Sequence, residues 1–247
     1  YLTMEVAPDR LADAFRGAKA IGMRGLNLTI PHKVAVIPLL EGLSQEARII
    51  GAVNTVVCRD GCYIGENTDG KGFLRGVQQD AGVDPKGKRV AILGAGGAAR
   101  AIATELLLAG VAELHVLNRG IERGLEMVSD LEKNTGARIR FGPWTSTYVV
   151  PSDMDILVNA TPVGLYPDVN GIPDVSLAAA KGDLLVCDAV FNPPVTRLLA
   201  LARDRGMPTL DGLSMLVYQG VIGFEMWTGM KAPEAVMKDA LRAALTE

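Results

Sequence analysis

The spacing of apolar residues predicts secondary structure from the start of the chain. In 9–21 they recur at helical spacing, with Leu11, Phe15, Ala18 and Ile21 on one face. The flanking segments 1–6 and 23–30 have the composition of strands. Together they predict a β-α-β unit with parallel strands and a right-handed crossover.

The next segments predict a short helix and a hairpin. The helix covers 44–50, and strands at 52–59 and 62–65 flank an Asp60-Gly61 turn. A further helix is predicted to begin near Thr68. The turn-rich stretch 81–88 then marks a plausible boundary.

From residue 89 the pattern changes to regular β-α alternation, which predicts a doubly wound parallel sheet. The final helices are expected to return and brace the first unit. We predict an α/β fold with two domains: a substrate domain (1–69 and 212–247) and a Rossmann domain (70–211). The second-half strands are predicted at 89–93, 113–117, 154–158, 184–188 and 208–210, and the helices at 97–109, 121–134, 195–205, 213–227 and 233–245.

Composition narrows the function classes. The 247 residues are 49% hydrophobic and carry a net charge of −3 without a basic block, which argues against a nucleic-acid surface. Apolar runs are too short to predict a membrane span. The three cysteines form no CxxC and no zinc spacing, so we expect no metal and a reducing, cytoplasmic setting.

A glycine-rich segment follows the strand at 89–93 and opens a helix. Gly94-Ala95-Gly96-Gly97-Ala98-Ala99 fits G-x-G-x-x-G/A, with Ala99 in the permissive last position. Glycines there let the backbone approach a pyrophosphate at the helix N-terminus. The pattern predicts a dinucleotide site, although a tight structural turn would also have this sequence.

The end of the next strand indicates which dinucleotide is bound. An NAD site usually has an Asp or Glu there, whereas this chain has Asn118 and Arg119, with Arg123 one helical turn on. Two guanidiniums suit a 2′-phosphate, so we predict NADP. The alternative is that both arginines are solvated residues at a helix start, with Glu122 weakening any anion site.

A nicotinamide enzyme needs a group that takes the hydroxyl proton, and the sequence offers few candidates. His115 lies inside a predicted strand and is expected to be a packing residue, whereas His32 stands beside Lys33. Ser214 has no obvious base. The chain has no GxSxG elbow, so hydrolysis has little support.

A polar set remains in the first segment, at or just after predicted strand ends, the sheet edge where ligands bind in open α/β sheets. A lysine and an aspartate meeting there would share a proton network. Spacing alone leaves Asp69 as a possible helix cap and the asparagines as turn formers. The set is Asn27, Thr29, Lys33, Asn54, Thr55, Asn67, Thr68 and Asp69.

Seven ordered motifs resemble those of shikimate dehydrogenases: GLNLTIPHK, GAVNT, NTDG, GAGGAA, NATPVG, FNPPVT and DGLSMLVYQG. The likeness runs from about residue 1 to the C-terminus. It implies reversible, NADP-linked oxidation of shikimate to 3-dehydroshikimate on the route to aromatic amino acids. It also implies two α/β domains around a cleft.

The resemblance assigns residues motif by motif. It implies that Lys33 transfers the proton and that Asp69 is its partner at the substrate hydroxyls. Thr29, Asn54 and Gln219 match positions that contact the substrate. The cofactor positions are Gly94, Ala95, Gly96, Gly97 and Ala98 at the pyrophosphate, Asn118, Arg119 and Arg123 at the adenosine phosphate, and Ala189 and Gly212 near the nicotinamide.

The chain departs from the family pattern at two places. Phe191 replaces the usual substrate-binding tyrosine, so a substrate hydrogen bond is expected to be absent or replaced by water. The family's N-terminal Ser-x-Ser pair for the substrate carboxylate has no match, and we expect an upstream strand to be missing from this sequence. We therefore expect better binding of NADP than of substrate.

Several alternatives stay open. One is a quinate/shikimate dehydrogenase that uses NAD, and another is a non-catalytic ligand-binding module on the same fold. A third is a folate-linked or other dehydrogenase of the same plan. The chain is expected to act on a small molecule as a monomer or homodimer, and membership of a longer multifunctional protein stays open.

Overall fold

The computed structural model describes residues 1–245; Thr246 and Glu247, which the predicted substrate domain includes, lie outside the described residues. The first half of the chain forms a four-stranded sheet in the order β1-β3-β4-β2. Strand β3 is antiparallel to β1 and β4, whereas β2 is parallel to β4. The strands are β1 (Gly25–Asn27), β2 (Gly42–Leu43), β3 (Thr55–Arg59) and β4 (Cys62–Glu66).

Three helices accompany this sheet: α1 (Leu11–Ala20), α2 (His32–Ala35) and α3 (Gln45–Ile50). Leu11, Phe15 and Ala18 are buried on α1 as the spacing predicts, and the Phe15 ring lies edge-on to Tyr63 at 5.3 Å between centroids. Ile21, predicted on the same face, comes after the end of the helix and is 75% exposed. Ser44 caps α3, because its hydroxyl accepts from the Ala47 N–H at 3.2 Å. Helix α2 was not predicted from the sequence, and it carries Lys33 in its first turn.

The strand expected at 1–6, and with it the parallel β-α-β unit, is wrong. Residues 1–7 form no regular element, and β1 pairs antiparallel with β3. Apolar and polar residues alternate in this segment, but neither set is buried, since Tyr1 and Leu2 are 91% and 77% exposed. A strand needs a neighbour for its backbone groups, and the described structure provides none here.

The second half forms a six-stranded parallel sheet in the order β12-β11-β9-β5-β6-β7. The order reverses between β5 and β9, the switch point at which doubly wound sheets bind dinucleotides. A separate short ribbon pairs β8 with β10. The strands are β5 (Arg89–Leu93), β6 (Glu113–Asn118), β7 (Ile139–Pro143), β8 (Tyr148–Val149), β9 (Ile156–Asn159), β10 (Val175–Ser176), β11 (Leu185–Asp188) and β12 (Thr209–Leu210).

Buried apolar clusters cover both faces of this sheet. This explains why its central strands are continuous apolar runs, and it confirms the predicted doubly wound α/β class. Strand β7, the ribbon and β2 were not predicted, because each is short or interrupted by polar residues. The associated helices are α5 (Gly97–Leu108), α6 (Ile121–Thr135) and α7 (Arg197–Asp204).

Of the C-terminal helices, α8 (Gly212–Thr228) returns to the first half, as predicted, and α9 (Glu234–Ala244) packs on α8. The Trp227 indole N–H on α8 donates to the Val56 carbonyl of β3 at 2.9 Å. Across residues 1–245, no helix combines the length and the apolar character needed to cross a membrane.

Helix α4 (Thr68–Gln79) lies between α5 and α8 and touches both through glycines. A Cβ on Gly70 would lie 2.3 Å from the Ala101 carbonyl oxygen of α5. On the other side, a Cβ on Gly72 would lie 2.7 Å from the Met215 carbonyl oxygen of α8. Helix α4 therefore fixes the distance between the two halves of the molecule.

We predict opposite effects for two helical Gly→Ala substitutions. Gly70→Ala places a methyl group against the α5 backbone and should lower the free energy of unfolding by about 1–3 kcal/mol. Gly17→Ala on α1 is the matched control, because no atom lies within 4 Å of its added Cβ. It should raise that free energy by about 0.5–1 kcal/mol. Urea unfolding of both variants measures the difference, and a stabilised Gly70→Ala would contradict the close approach.

Candidate active site

A lysine and an aspartate from separate elements form an ion pair at one edge of the first sheet. Lys33 Nζ on α2 lies 2.6 Å from Asp69 Oδ2 on α4. The side chains are 29% and 20% exposed, so the pair is partly shielded but open to a small molecule. The structure thus brings together the two residues that the resemblance assigns to proton transfer.

Asn54 holds the other oxygen of Asp69. Its Nδ2 donates to Asp69 Oδ1 at 2.8 Å and to Thr68 Oγ1 at 3.0 Å, and its Oδ1 accepts from the Thr68 N–H at 2.8 Å. Asn54 is 3% exposed, so these bonds form without competition from water. The Asp69 carboxylate therefore has one oxygen fixed by an amide and the other directed at Lys33.

Asn67, and not Asp69, caps α4, because Asn67 Oδ1 accepts from the Asp69 N–H at 3.1 Å. This excludes the alternative in which Asp69 serves as the cap. Because the cap is supplied two residues earlier, the Asp69 side chain is left for the lysine.

Antiparallel pairing assembles this polar edge. Asn27 ends β1 and lies opposite Thr55 at the start of β3, and Thr55 also faces Glu66 at the end of β4. Asn54 precedes β3 and Thr55 begins it, so the expectation that these polar residues lie at or just after strand ends is wrong for both. The start of an antiparallel strand lies beside its neighbours' ends, so the residues still meet.

Three further predicted substrate residues lie on elements other than those that carry the pair. Thr29 is exposed after β1, Gln219 lies on α8, and Phe191 is 38% exposed after β11. Within residues 1–245, no hydrogen bond joins their side chains to the lysine or the aspartate. Gln219 Nε2 instead donates to the Leu216 carbonyl at 3.1 Å.

The glycine-rich loop has room for a pyrophosphate. Gly94 has φ +105°. Gly96 is the N-cap residue of α5 and, as a glycine, forms no side-chain hydrogen bond to the first turn. No atom lies within 4 Å of a Cβ added to Gly97. The first N–H groups of α5 are thus accessible, and a dinucleotide fits this cradle.

One of the two predicted arginines lies beside the same cradle. Arg123 Nη2 is 3.8 Å from the position of a Cβ on Gly96, and Arg119 follows β6 in an exposed turn. Asn118 Nδ2 donates to the Gly120 carbonyl at 2.7 Å and shapes this turn. Neither arginine forms an ion pair with Glu122 or another carboxylate among the described residues, so both guanidiniums are available to an anion.

Ala189 and Gly212, expected at the nicotinamide end, lie against each other. A Cβ on Gly212 would be 2.8 Å from the Ala189 carbonyl oxygen and 2.4 Å from that of Val190. The Ala189 N–H donates to the Asn159 carbonyl at 2.8 Å. The first turn of α8 therefore rests directly on the chain that leaves β11.

Sequence reasoning missed two buried carboxyls whose pKa values are raised by burial. Asp188 ends β11 at 1% exposure, and burial raises its pKa to about 6, opposed by hydrogen bonds from Val190, Thr196 and Asn159. Glu105 on α5 is 6% exposed, and burial raises its pKa to about 7 against the charge of Lys71. Asp188 could have been noticed in the sequence, because a charged residue ends an otherwise apolar strand. The helical pattern around Glu105 gives no such indication.

His115 packs in β6 as predicted, with its ring edge-on to Tyr148 at 5.7 Å. His32 Nε2 lies 2.9 Å from the Val6 carbonyl oxygen, and among the described residues no hydrogen bond joins the His32 and Lys33 side chains. In the described part of the chain, no group of three or more His, Cys, Asp and Glu residues is arranged to hold a metal ion.

Three sequence families match successive parts of the chain. They are the shikimate dehydrogenase substrate binding domain at residues 1–56, shikimate / quinate 5-dehydrogenase at 77–164, and the shikimate 5′-dehydrogenase C-terminal domain at 212–242. The NADP(+) shikimate dehydrogenase of Desulforamulus reducens is 42% identical over 98% of this chain and 84% of its own length. The chain belongs to the shikimate dehydrogenase family.

Solved structures with the same fold include enzymes that are named for different substrates. A ligand-free 5-ketofructose reductase of Gluconobacter has a TM-score of 0.93 and 45% identity over 98% of this chain and 86% of its own. The shikimate 5-dehydrogenase of Listeria monocytogenes, in complex with shikimate and NAD, has a TM-score of 0.89 and 34% identity over 98% and 85%. The shikimate dehydrogenase family plan therefore covers nearly the whole chain.

Proposed function

We propose that the protein transfers hydride between NADP(H) and shikimate/3-dehydroshikimate, the oxidoreductase step of aromatic amino acid biosynthesis. The observation that carries this proposal is the 2.6 Å contact between Lys33 Nζ and Asp69 Oδ2. The open glycine-rich cradle at the start of α5 supports it. The NADP(+) shikimate dehydrogenase of D. reducens supports both the substrate and the cofactor.

In this proposal, the substrate and the cofactor bind to different parts of the chain. We propose that 1–69 and 212–247 bind the substrate and 70–211 bind the cofactor, with α4 bridging them. Thr29, Asn54, Gln219 and Phe191 are proposed to surround the substrate, and Lys33 and Asp69 to hold its reacting hydroxyl. When bound, NADP supplies a nicotinamide that accepts or returns a hydride.

Lys33 Nζ is the proton-transfer atom in this proposal. During oxidation, unprotonated Nζ takes the hydroxyl proton as the hydride leaves the same carbon, and during reduction the ammonium returns that proton to the new alkoxide oxygen. Asp69 Oδ2 holds Nζ in place, and Asn54 prevents the carboxylate from rotating away. Because the lysine is already held in position, reaching the reactive geometry costs less entropy.

Lys33→Ala should lower kcat by about 10²–10⁴-fold, because general acid–base catalysis contributes that much. The dissociation constant for NADP should stay within about threefold, since the cradle lies on other elements. Steady-state kinetics and calorimetric NADP titration measure the two quantities.

Lys181→Ala is a closely matched control. Lys181 pairs with Asp155 at the same 2.6 Å, and those side chains are 31% and 19% exposed. The control should keep its kcat, and a Lys33→Ala enzyme with parental kcat would overturn the assignment of Lys33.

Arg119 and Arg123 are proposed to bind the 2′-phosphate of NADP. The double variant Arg119→Ala, Arg123→Ala should weaken NADP binding by about 10²–10⁴-fold, since hydrogen bonds to charged groups contribute about 1.5–3 kcal/mol each. NAD binding should change by less than about threefold. The double variant Arg10→Ala, Arg16→Ala removes two exposed arginines that pair with Asp13 and is the charge-matched control. Equal NADP and NAD affinities in the parent would refute the cofactor preference.

A second candidate is reduction of a keto sugar. Two observations favour it: the 0.93 TM-score with 5-ketofructose reductase and Phe191 in place of the family's usual tyrosine. Phe191 cannot give a substrate a hydrogen bond, whereas tyrosine can.

Steady-state assays of the purified protein should separate the candidates. Shikimate, quinate and 5-ketofructose are each measured with the NADP and NAD couples, and we expect the highest kcat/KM for shikimate with NADP. Phe191→Tyr should then lower the KM for shikimate by about 3–10-fold through one added hydrogen bond. A higher kcat/KM for 5-ketofructose would establish the second candidate instead.

A further inference from the structure

The buried carboxyl of Asp188 organises the chain that leaves β11. Oδ1 accepts from Asn159 Nδ2 at 2.9 Å and from the Val190 N–H at 3.0 Å, and Oδ2 accepts from the Thr196 hydroxyl at 2.7 Å. Both oxygens are bound, and all three donors are neutral. Burying a carboxyl without a cation is costly, so packing alone does not explain an aspartate at this position.

Asn159 extends this network to the end of β9. Its Oδ1 accepts from the N–H of Thr161 at 3.1 Å and from the Thr161 hydroxyl at 2.7 Å. The turn that it holds forms a wall of the cofactor cradle: Ala160 O and Thr161 Cγ2 lie 3.0 and 3.1 Å from the position of a Cβ on Gly94.

Thr196 and Val190 extend the network in two other directions. The Thr196 hydroxyl accepts from the Leu199 N–H at 3.3 Å and caps α7, so the segment 189–196 is fixed at both ends. Gly212 rests on the Val190 carbonyl, and α8 then leads to Gln219. One carboxyl therefore connects the cradle wall, the segment with Ala189 and Phe191, and the start of α8.

We infer that Asp188 is a positioning residue that fixes the nicotinamide end of the site relative to the substrate. The inference rests on the proposed function, because it assigns the segment 189–196 to that end. Asp188 acts through Asn159, Val190 and Thr196 and touches no reacting atom. Its loss should misalign the reacting groups while the phosphate contacts at the far end of the cradle stay intact.

The test variant is Asp188→Asn, which keeps the shape of the side chain. With its oxygen kept toward Asn159 and Val190, the amide presents its nitrogen to Thr196. The nitrogen cannot accept, so this hydrogen bond must reverse and the Thr196 hydroxyl proton loses its acceptor, while the links to Asn159 and Val190 persist. We expect kcat to fall by about 10–100-fold with the KM for shikimate within about threefold. A merely structural role would not separate kcat from KM in this way.

NADPH fluorescence gives a readout that needs no turnover. The emission of bound NADPH reports the surroundings of the nicotinamide, so it should shift toward that of free NADPH in Asp188→Asn. Calorimetry should find NADPH affinity within about fivefold of the parent. Asp155→Asn is the control, because Asp155 accepts from the Arg89 N–H at 2.8 Å and from Lys181 at the opposite edge of the sheet. It should leave the emission and kcat unchanged.

Thr196→Val serves if Asp188→Asn does not fold, since it removes the same hydroxyl donor and should shift the emission in the same direction. Parental kcat and emission in the variant tested would overturn the role of Asp188. A parent that binds NADPH but does not oxidise shikimate would refute the proposed substrate, and the emission comparison would still decide the role of Asp188.

Discussion

The close approach of α4 to α5 at Gly70 is the contact on which the site depends. Asp69 comes directly before this glycine, so the packing of two helix backbones fixes its carboxylate relative to the cradle at the start of α5. On the other face of α4, Gly72 lies against the backbone of α8 at Gln219. Because glycines occupy these points, the helix backbones pack directly on each other and leave no space for adjustment. Helix α4 therefore holds α5 and α8 at fixed positions.

Two carboxyls in the same molecule have opposite environments. Asp69 has a cation and an amide as partners and stays partly exposed, which suits exchange with a small polar molecule. Asp188 is buried among neutral donors, and burial raises its pKa to about 6. The first environment keeps a charged carboxylate beside the lysine, whereas in the second the carboxyl joins neighbouring loops through hydrogen bonds.

Prediction from the sequence was most successful in the second half. Strands such as Arg89–Leu93 are continuous apolar runs because helices cover both sheet faces, and the glycine-rich loop is a local pattern. In the first half, the segment 1–6 alternates as a strand would but forms none, and the short helix with Lys33 has no periodicity to reveal it. Pairing partners decide such segments, and those partners are distant in sequence.

The sequence by itself determined the family, the class of fold and the types of residue available for chemistry, because ordered motifs and hydrophobic periodicity are properties of the linear chain. Only the tertiary structure decided which polar residues meet. It placed Lys33 beside Asp69 across 36 residues, gave the cap of α4 to Asn67, and joined Asp188 to Asn159 and Thr196. Hydrogen bonds of this kind depend on distances between atoms brought together by sheet pairing and helix packing, which residue spacing does not encode.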